Sequence, residues 1–379
     1  MKLPQLVTRP VEAPHESSPV TMLELFFDLV FVFVITQVTT LISAASGWAG
    51  YGRAALVLLL TWYIYNGFAW LTNNVVPTTL GTRLPMFAAM ACFLAMAVVV
   101  PDAFGVGAWV FGVAYLTLVV IHSVQFARSS LGTSAEAIRT IVPVNLTVAV
   151  LVIVAAAIGP TWGWIAWCAA LAVILAGSML STGIQFTLRA QHFAERHHLL
   201  VIIALGETII QVGQGSASHL TELPVVAAFV AALILIIALW WVYFGTGDDA
   251  RGAHAFAQVP EDRRARLGSQ AYSAAHILHI AWLVLCAGGL HAALHYPVDP
   301  LGAMLAGTTS AGVALFLLGQ AVSRGALSIG PARPHLVTAL LALAASAVGV
   351  VGPAVALLAA LALLLIGLSW WLSRGDQVL

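Results

Sequence analysis

The residues of this sequence best placed to do chemistry are acids set in apolar runs. Glu24 and Asp28 lie four apart in MLELFFDLVFVFVITQ (22–37), and Glu207 stands in LLVIIALGETII (199–210). Four residues is about one helical turn, so Glu24 and Asp28 share a face. An ionised carboxylate deep in a bilayer costs on the order of 3 kcal/mol. It has to face protein or water, meet a cation, or hold a proton. Two chemistries follow. Such acids can draw a cation or a proton along a membrane path. They can equally be buried structural groups bonded to an Arg, His or Asn of a neighbouring helix. Asn66, Asn73, Asn74, His122, Asn145, His276 and His279 are the candidate partners. Glu24 is close enough to a helix start to reach headgroups, whereas Asp28 and Glu207 are deeper.

On a helix advancing 100° per residue, Thr21, Glu24, Asp28, Thr36, Thr39 and Ser43 occupy one arc. Phe31, Val32 and Ile35 interrupt that arc and are candidates for an apolar constriction. A second arc holds His197, Glu207, Thr208, Gln211, Gln214 and Ser218. Histidine is the other anomaly, with 12 in the chain. His276 and His279 are spaced i,i+3, His291 and His295 i,i+4, and His197 and His198 follow Glu195 and Arg196. Neighbouring turns can present imidazoles to one metal ion, yet His276 and His291 are roughly 22 Å apart on one helix. No metal centre or cofactor is assigned. His276 and His279 are instead candidates for interhelix hydrogen bonding or proton relay. Asp28, Glu207, Glu24, His276, His279 and Gln211 form the candidate polar set.

The elements that must position these groups are membrane spans. The chain is 61% hydrophobic and 8% charged, against roughly 25% charged in soluble domains. Its formal net charge of zero gives no electrostatic basis for nucleic-acid binding. The three cysteines lie in apolar stretches and read as small core residues. Runs of about 20 apolar residues predict twelve helices near 20–43, 53–74, 84–101, 106–127, 137–158, 163–186, 198–219, 223–244, 267–290, 301–322, 334–351 and 353–373. With this count every one of the 15 basic residues except Arg53 falls on one side. That asymmetry places both termini in the cytoplasm. Residues 1–19 read as a cytoplasmic tail and 245–266 as a large cytoplasmic loop of mixed charge. Trp48, Trp109, Trp162 and Trp164 near one set of helix ends, and Trp370 and Trp371 near the other, fit interfacial anchors.

LTWYIYNG at 60–67 is echoed by ALWWVYFG at 238–245, and ALVLLL at 55–60 by ALILII at 232–237. Nearly the same offset carries Asp28 onto Glu207. Six helices per half is an even number, so the expected arrangement is a parallel repeat of two six-helix halves, 20–190 and 191–379. The expected fold class is an all-α polytopic transmembrane bundle. Gly-rich phrases such as GVGAWVFG (105–112) lack a phosphate-loop lysine and read as helix packing.

ELFFDLVFVFVITQ (24–37) resembles the opening signature of the bacterial low temperature requirement A (LtrA) family, and ERHHLLVIIALGETII (195–210) resembles its second signature. WWVYF (240–244) and AYSAAHILHIA (271–281) are similar to later segments. The doubled His197–His198 departs from the usual pattern, while Arg196 and Glu207 are retained. The resemblance implies a multi-pass membrane protein of a family named for a growth phenotype in the cold. FFDLVFVFVIT (26–36) also resembles the first helix of potassium or proton channels with a Phe-Ser-Asp motif, where six-helix repeats line the pore with that helix. Phe27 stands in place of the serine, and no arginine precedes it between Pro19 and Leu25.

These readings converge on a bacterial cytoplasmic-membrane protein that permits or couples movement of a small ion or solute, a proton or monovalent cation first. The lipid bilayer is its certain partner, and a homo-oligomer is compatible with the sequence. Two rivals stand. One is a membrane enzyme acting on a lipid or isoprenoid with Asp28, Glu207 and His276 or His279 as acid/base groups. The other is a non-catalytic stress-adaptation factor.

Overall fold

A computed structural model describes residues 19–44, 47–128, 132–180, 187–216 and 220–375. The expected N-terminal tail lies outside the described residues but for Pro19, as does Ser218. Among the described residues the chain is helical, without strands. Its first half comprises α1 (Met22–Ala44), α2 (Trp48–Asn74), α3 (Leu80–Val99), α4 (Ala108–Ala127), α5 (Gly132–Ile158) and α6 (Gly163–Leu180). Its second half comprises α7 (Ala190–Ser216), α8 (Leu223–Trp240), α9 (Asp248–Ala257), α10 (Glu261–Gly268), α11 (Ala275–His295), α12 (Gly302–Leu327), α13 (Arg333–Ala344), α14 (Ser346–Val351) and α15 (Ala354–Gly375). Among the described residues eleven helical spans, counting α8–α9, α10–α11 and α13–α14 as one each, are long and apolar enough to cross a membrane, and α6 is a shorter apolar helix beside them.

Local sequence sets several helix starts. Thr21 and Glu24 form a reciprocal cap on α1: the Glu24 backbone N–H donates to the Thr21 hydroxyl, and the Thr21 N–H donates to the Glu24 carboxylate. Thr79 and Thr82 do the same for α3. The expected loop at 245–266 is helical instead. Short π-helical stretches at Trp241–Gly245 and Ser269–Ala274 carry α8 into α9 and α10 into α11. Gly247, at φ 73°, makes the left-handed step that restarts the chain as α9. Both segments are amphipathic, and α9 buries Asp248, Gly252 and Phe256.

In the first half α1 contacts α2 and α3, then α3 meets α4, α4 meets α5, α5 meets α6, and α2 meets α6. In the second half α7 contacts α8 and α11, then α11 meets α12, α12 meets α13, α13 meets α15, and α8 meets α15. α1 lies against α7 and α11 where the halves join. Contacts 24·192, 28·196 and 36·207 rise together, so α1 and α7 run parallel. Buried apolar side chains form two large cores, one mainly from the first half and one from the second, and α7 and α11 contribute to both. On α1 Phe26, Leu29 and Phe33 are exposed to the surroundings, whereas Glu24, Asp28, Phe31 and Ile35 are fully buried. Trp48, Trp109, Trp162, Trp164, Trp370 and Trp371 are all exposed near helix ends, as interfacial anchors require.

α11 and α12 approach closely because glycines remove side chains from their seam. A Cβ at Gly312 would stand 2.7 Å from Cys286 Sγ and 2.9 Å from the Trp282 carbonyl oxygen. We expect Gly312→Val to destabilise the protein by about 2 kcal/mol through overpacking. Thermal unfolding in detergent would show this, with exposed Gly325→Ala, whose Cβ meets nothing within 4 Å, as the silent control.

Candidate functional site

The two acids of α1 meet α7 at the end of the bundle where α1 begins. Arg196 is 1% exposed and sits between them. Its Nη2 donates to Asp28 Oδ1 at 2.8 Å and its Nε to the same oxygen at 3.2 Å. Tyr65 of α2 donates its hydroxyl to that oxygen as well, at 2.8 Å. Arg196 Nη1 donates to the Thr72 hydroxyl and to the Phe68 carbonyl, and lies 3.7 Å from Glu24 Oε1. His192 Nε2 stands 3.3 Å from the Glu24 carboxylate. The Phe27 and Tyr65 rings lie 5.6 and 5.7 Å from the guanidinium carbon. Three helices are thus held in one register. Next to the cluster, Arg189 donates to the Asn73 and Thr72 carbonyls at the end of α2. A guanidinium there satisfies carbonyls that the helix itself leaves free.

Three sequence expectations change here. Glu24 does not reach headgroups; it is fully buried as a cap and an ion-pair partner. Asp28 takes its cation from Arg196 rather than from the Asn and His candidates. α7 begins at Ala190, eight residues before the expected start, so Arg196 lies inside a helix rather than at a flank. Arg189 and Arg324 are also buried, although the charge pattern reads them as loop residues.

Glu207 belongs to a separate place. It is half-buried and level with Thr36, eleven residues along α7 from Arg196, roughly 16 Å by helical rise. Asp28 and Glu207 are therefore at different depths. Thr36 donates its hydroxyl to Glu207 Oε1 at 2.8 Å, and the Gln211 amide donates to the same oxygen at 3.3 Å. No basic side chain pairs with it among the described residues. One turn farther out, Gln211 lines a cavity of about 360 Å³ with Thr39, Gln214, His291 and His295.

The third group lies level with Arg196 on the α11 side. His276 Nε2 is 2.6 Å from the Tyr243 hydroxyl. The His197 and His276 rings, and the His276 and His279 rings, are each 5.0 Å apart. Between this group and Glu207 lie Val32, Ile35, Leu200, Ala204, Ile280 and Leu283, all buried in one apolar cluster. Phe31 is turned away toward α2 and α3, stacked 3.9 Å from Tyr65 and edge-on to Phe93. The structure thus joins Glu24 with Asp28, Glu207 with Gln211, and His276 with His279, as three separate groups. Tyr65, His192, Arg196 and Tyr243 escaped the sequence reading as site residues. TMLE, a capping-box pattern, was the available signal for the role of Glu24. No group of three or more His, Cys, Asp or Glu among the described residues is placed to hold a metal ion.

The sequence profile of the bacterial low temperature requirement A protein (LtrA) matches residues 19–370. The chain belongs to the LtrA family. It is an integral membrane protein in contact with lipid. An uncharacterised protein of Rhizobium meliloti (strain 1021) is 29% identical over 241 residues, which are 59% of this LtrA-family chain and 58% of that relative. The match thus spans a little over half of the relative's length. No solved structure matches the chain.

Removing one partner of a buried ion pair leaves the other charge uncompensated, at a cost of about 3 kcal/mol or more. We expect Asp28→Asn and Arg196→Gln each to lower thermal stability strongly. The double variant should lose clearly less than the two losses added. Strict additivity in a double-mutant cycle would contradict the coupling.

Proposed function

We propose that this LtrA-family protein moves a small cation or proton across the bacterial cytoplasmic membrane, with Glu207 as the group that receives it. The observation that carries this reading is the setting of Glu207. A half-buried carboxylate with only neutral donors beside it sits one turn below a polar-lined cavity of about 360 Å³. A carboxylate left without an internal cation attracts one from outside. Asp28, by contrast, already has Arg196, and acts as part of a brace.

The apolar segment between Glu207 and the histidines spans roughly 15 Å of α7 from His197. It acts as a closed barrier, with Val32 and Ile35 as its α1 side. Movement therefore requires a rearrangement of α1, α7 and α11, as in alternating access, rather than passage through an open pore. Two further features support the reading. The recurring order of helix neighbours suits two parallel six-helix halves related by an axis along the membrane normal. The one-sided distribution of basic residues favours cytoplasmic termini, an orientation in which the Glu207 cavity would face the outer side.

Flux of protons, sodium and potassium into liposomes containing the purified protein tests this. Wild type should carry at least one of them. Glu207→Gln, eluting as a folded protein, should reduce that flux at least tenfold. Full flux in folded Glu207→Gln would remove Glu207 from the path, and no flux of any of the three from folded wild type would overturn the reading.

A further inference from the structure

One group of buried polar residues has no part in the ion-pair brace or in the Glu207 cavity. His197 and His276 are each at most 2% exposed, as is His279, and Tyr243 is 4% exposed. Burial of so many imidazoles is costly unless they are hydrogen-bonded. Yet among the described residues His197 Nε2 and both ring nitrogens of His279 have no hydrogen-bond partner. His335 of α13, fully buried, is in the same condition at both nitrogens.

We propose that the ion carried is the proton, and that His279, Tyr243, His276 and His197 form its relay on the α9 side of the apolar barrier. The inference rests on the transport reading above and names its ion.

Three observations support it. First, the groups form one contiguous cluster, in which Tyr243–His276 is the one hydrogen bond among the described residues and the other members meet through ring contacts. The Tyr243 hydroxyl is 2.6 Å from His276 Nε2, the Tyr243 and His279 rings are 5.1 Å apart, and His197 and His276 are 5.0 Å apart. His197 Nδ1 donates to the Phe193 carbonyl at 2.8 Å, which leaves Nε2 of the neutral ring as a free acceptor. Second, the chain opens at one end. A small cavity of about 20 Å³, large enough for one water molecule, is lined by Tyr243, His276, Tyr272, His198, Asp248 and Asp249. Third, the backbone is irregular where it meets the chain. Tyr243 and Tyr272 both lie in the π-helical stretches, a distortion that concentrates at functional positions.

The charged and titratable groups facing this chain come from every element around it. α7 supplies His198 and, beside His197, the Arg196 guanidinium, and the π-helical stretch before α11 supplies Tyr272. α9 supplies Asp248 and Asp249, α12 supplies Arg324, and α13 supplies His335. Asp248 is paired to Arg324 and to Arg251. Asp249 has no ion-pair partner among the described residues, so it is the carboxylate at the mouth.

A transfer changes only N–H and O–H bonds. Once a turn of the His279 ring brings one of its nitrogens to the Tyr243 oxygen, a proton on His279 passes to that oxygen as the Tyr243 hydroxyl gives its own proton to His276 Nε2. One positive charge moves from His279 to His276, and the chain resets when the Tyr243 hydroxyl rotates and, after release of the Nδ1 proton, the proton left on His276 Nε2 is exchanged to Nδ1. His276 then releases its other proton, from Nδ1, toward His197 or the cavity.

Liposomes holding a pH-sensitive dye test the relay, with sodium and potassium flux read in parallel. The variants are Tyr243→Phe, which removes only a hydroxyl, and His276→Gln. Exposed His254→Gln is the control. Each variant is first checked for wild-type elution and thermal stability. The expected result is proton flux in wild type and His254→Gln, and at least a tenfold loss in stable Tyr243→Phe. If Tyr243→Phe does not fold, His276→Gln carries the same expectation. Undiminished proton flux in a stable Tyr243→Phe or His276→Gln would overturn the relay alone. Sodium or potassium flux without proton flux would also overturn it while sparing the transport reading. No flux of any cation would overturn both.

Discussion

A guanidinium enclosed by three helices is the constraint on which the bundle is built. Arg196 keeps its charge under all ordinary conditions, so once buried it has to be met by acids and oxygens at fixed positions. Asp28 and Glu24 come from α1, while Tyr65, Thr72 and the Phe68 carbonyl come from α2. Lipid tails are as apolar as leucine, so burial of apolar side chains gives membrane helices little preference for one rotation or height over another. A directional ion pair gives that preference. It turns the acid face of α1 inward and leaves Phe26, Leu29 and Phe33 toward lipid. It also sets the height at which α1 passes α7, and so brings Thr36 opposite Glu207.

The same residue chemistry serves two ends because the surroundings differ. The α1 carboxylates face a permanent cation, an imidazole and the first turn of their own helix. The Glu207 carboxylate faces a hydroxyl and an amide. The first arrangement satisfies charge internally and resists change. The second surrounds the carboxylate with neutral donors alone. Level with the first lies the histidine group, where the rings are packed among aromatic neighbours such as Phe193, Phe316 and Tyr272. The Arg196 brace, Glu207 and the histidine group all touch α7, whose two ends therefore carry different chemistry along one rigid rod.

The glycine seam of α11 and α12 contributes to the same geometry. A Cβ at Gly319 would stand 2.9 Å from His279 Nε2 and 2.8 Å from the Ala275 carbonyl. The imidazole is thus held directly against the backbone of α12, where only glycine leaves room. Close helix approach and positioning of a polar ring are here one feature.

Apolar run length and helical periodicity are properties of neighbouring residues, and what depends on them was legible in the sequence. The membrane class, the spans, the inward arc of Glu24 and Asp28 and the exposed tryptophans at helix ends all follow from local pattern. The family resemblance of residues 24–37 and 195–210 was equally readable, because a motif is local too. The partner of Asp28 was not. A buried Arg196 and an arginine that snorkels to an interface look the same in sequence, since both stand near the end of an apolar run. Tyr243 and Tyr272 passed as ordinary aromatics, and residues 245–266 read as a loop because their apolar face is short and mixed with charge. Depth and pairing between helices distant in the chain are set by packing, which periodicity within one helix does not encode. Only the tertiary structure therefore decided that Asp28 meets Arg196, that Glu207 stands without a cation beside a cavity, and that four helical stretches bring their imidazoles and phenols into one group.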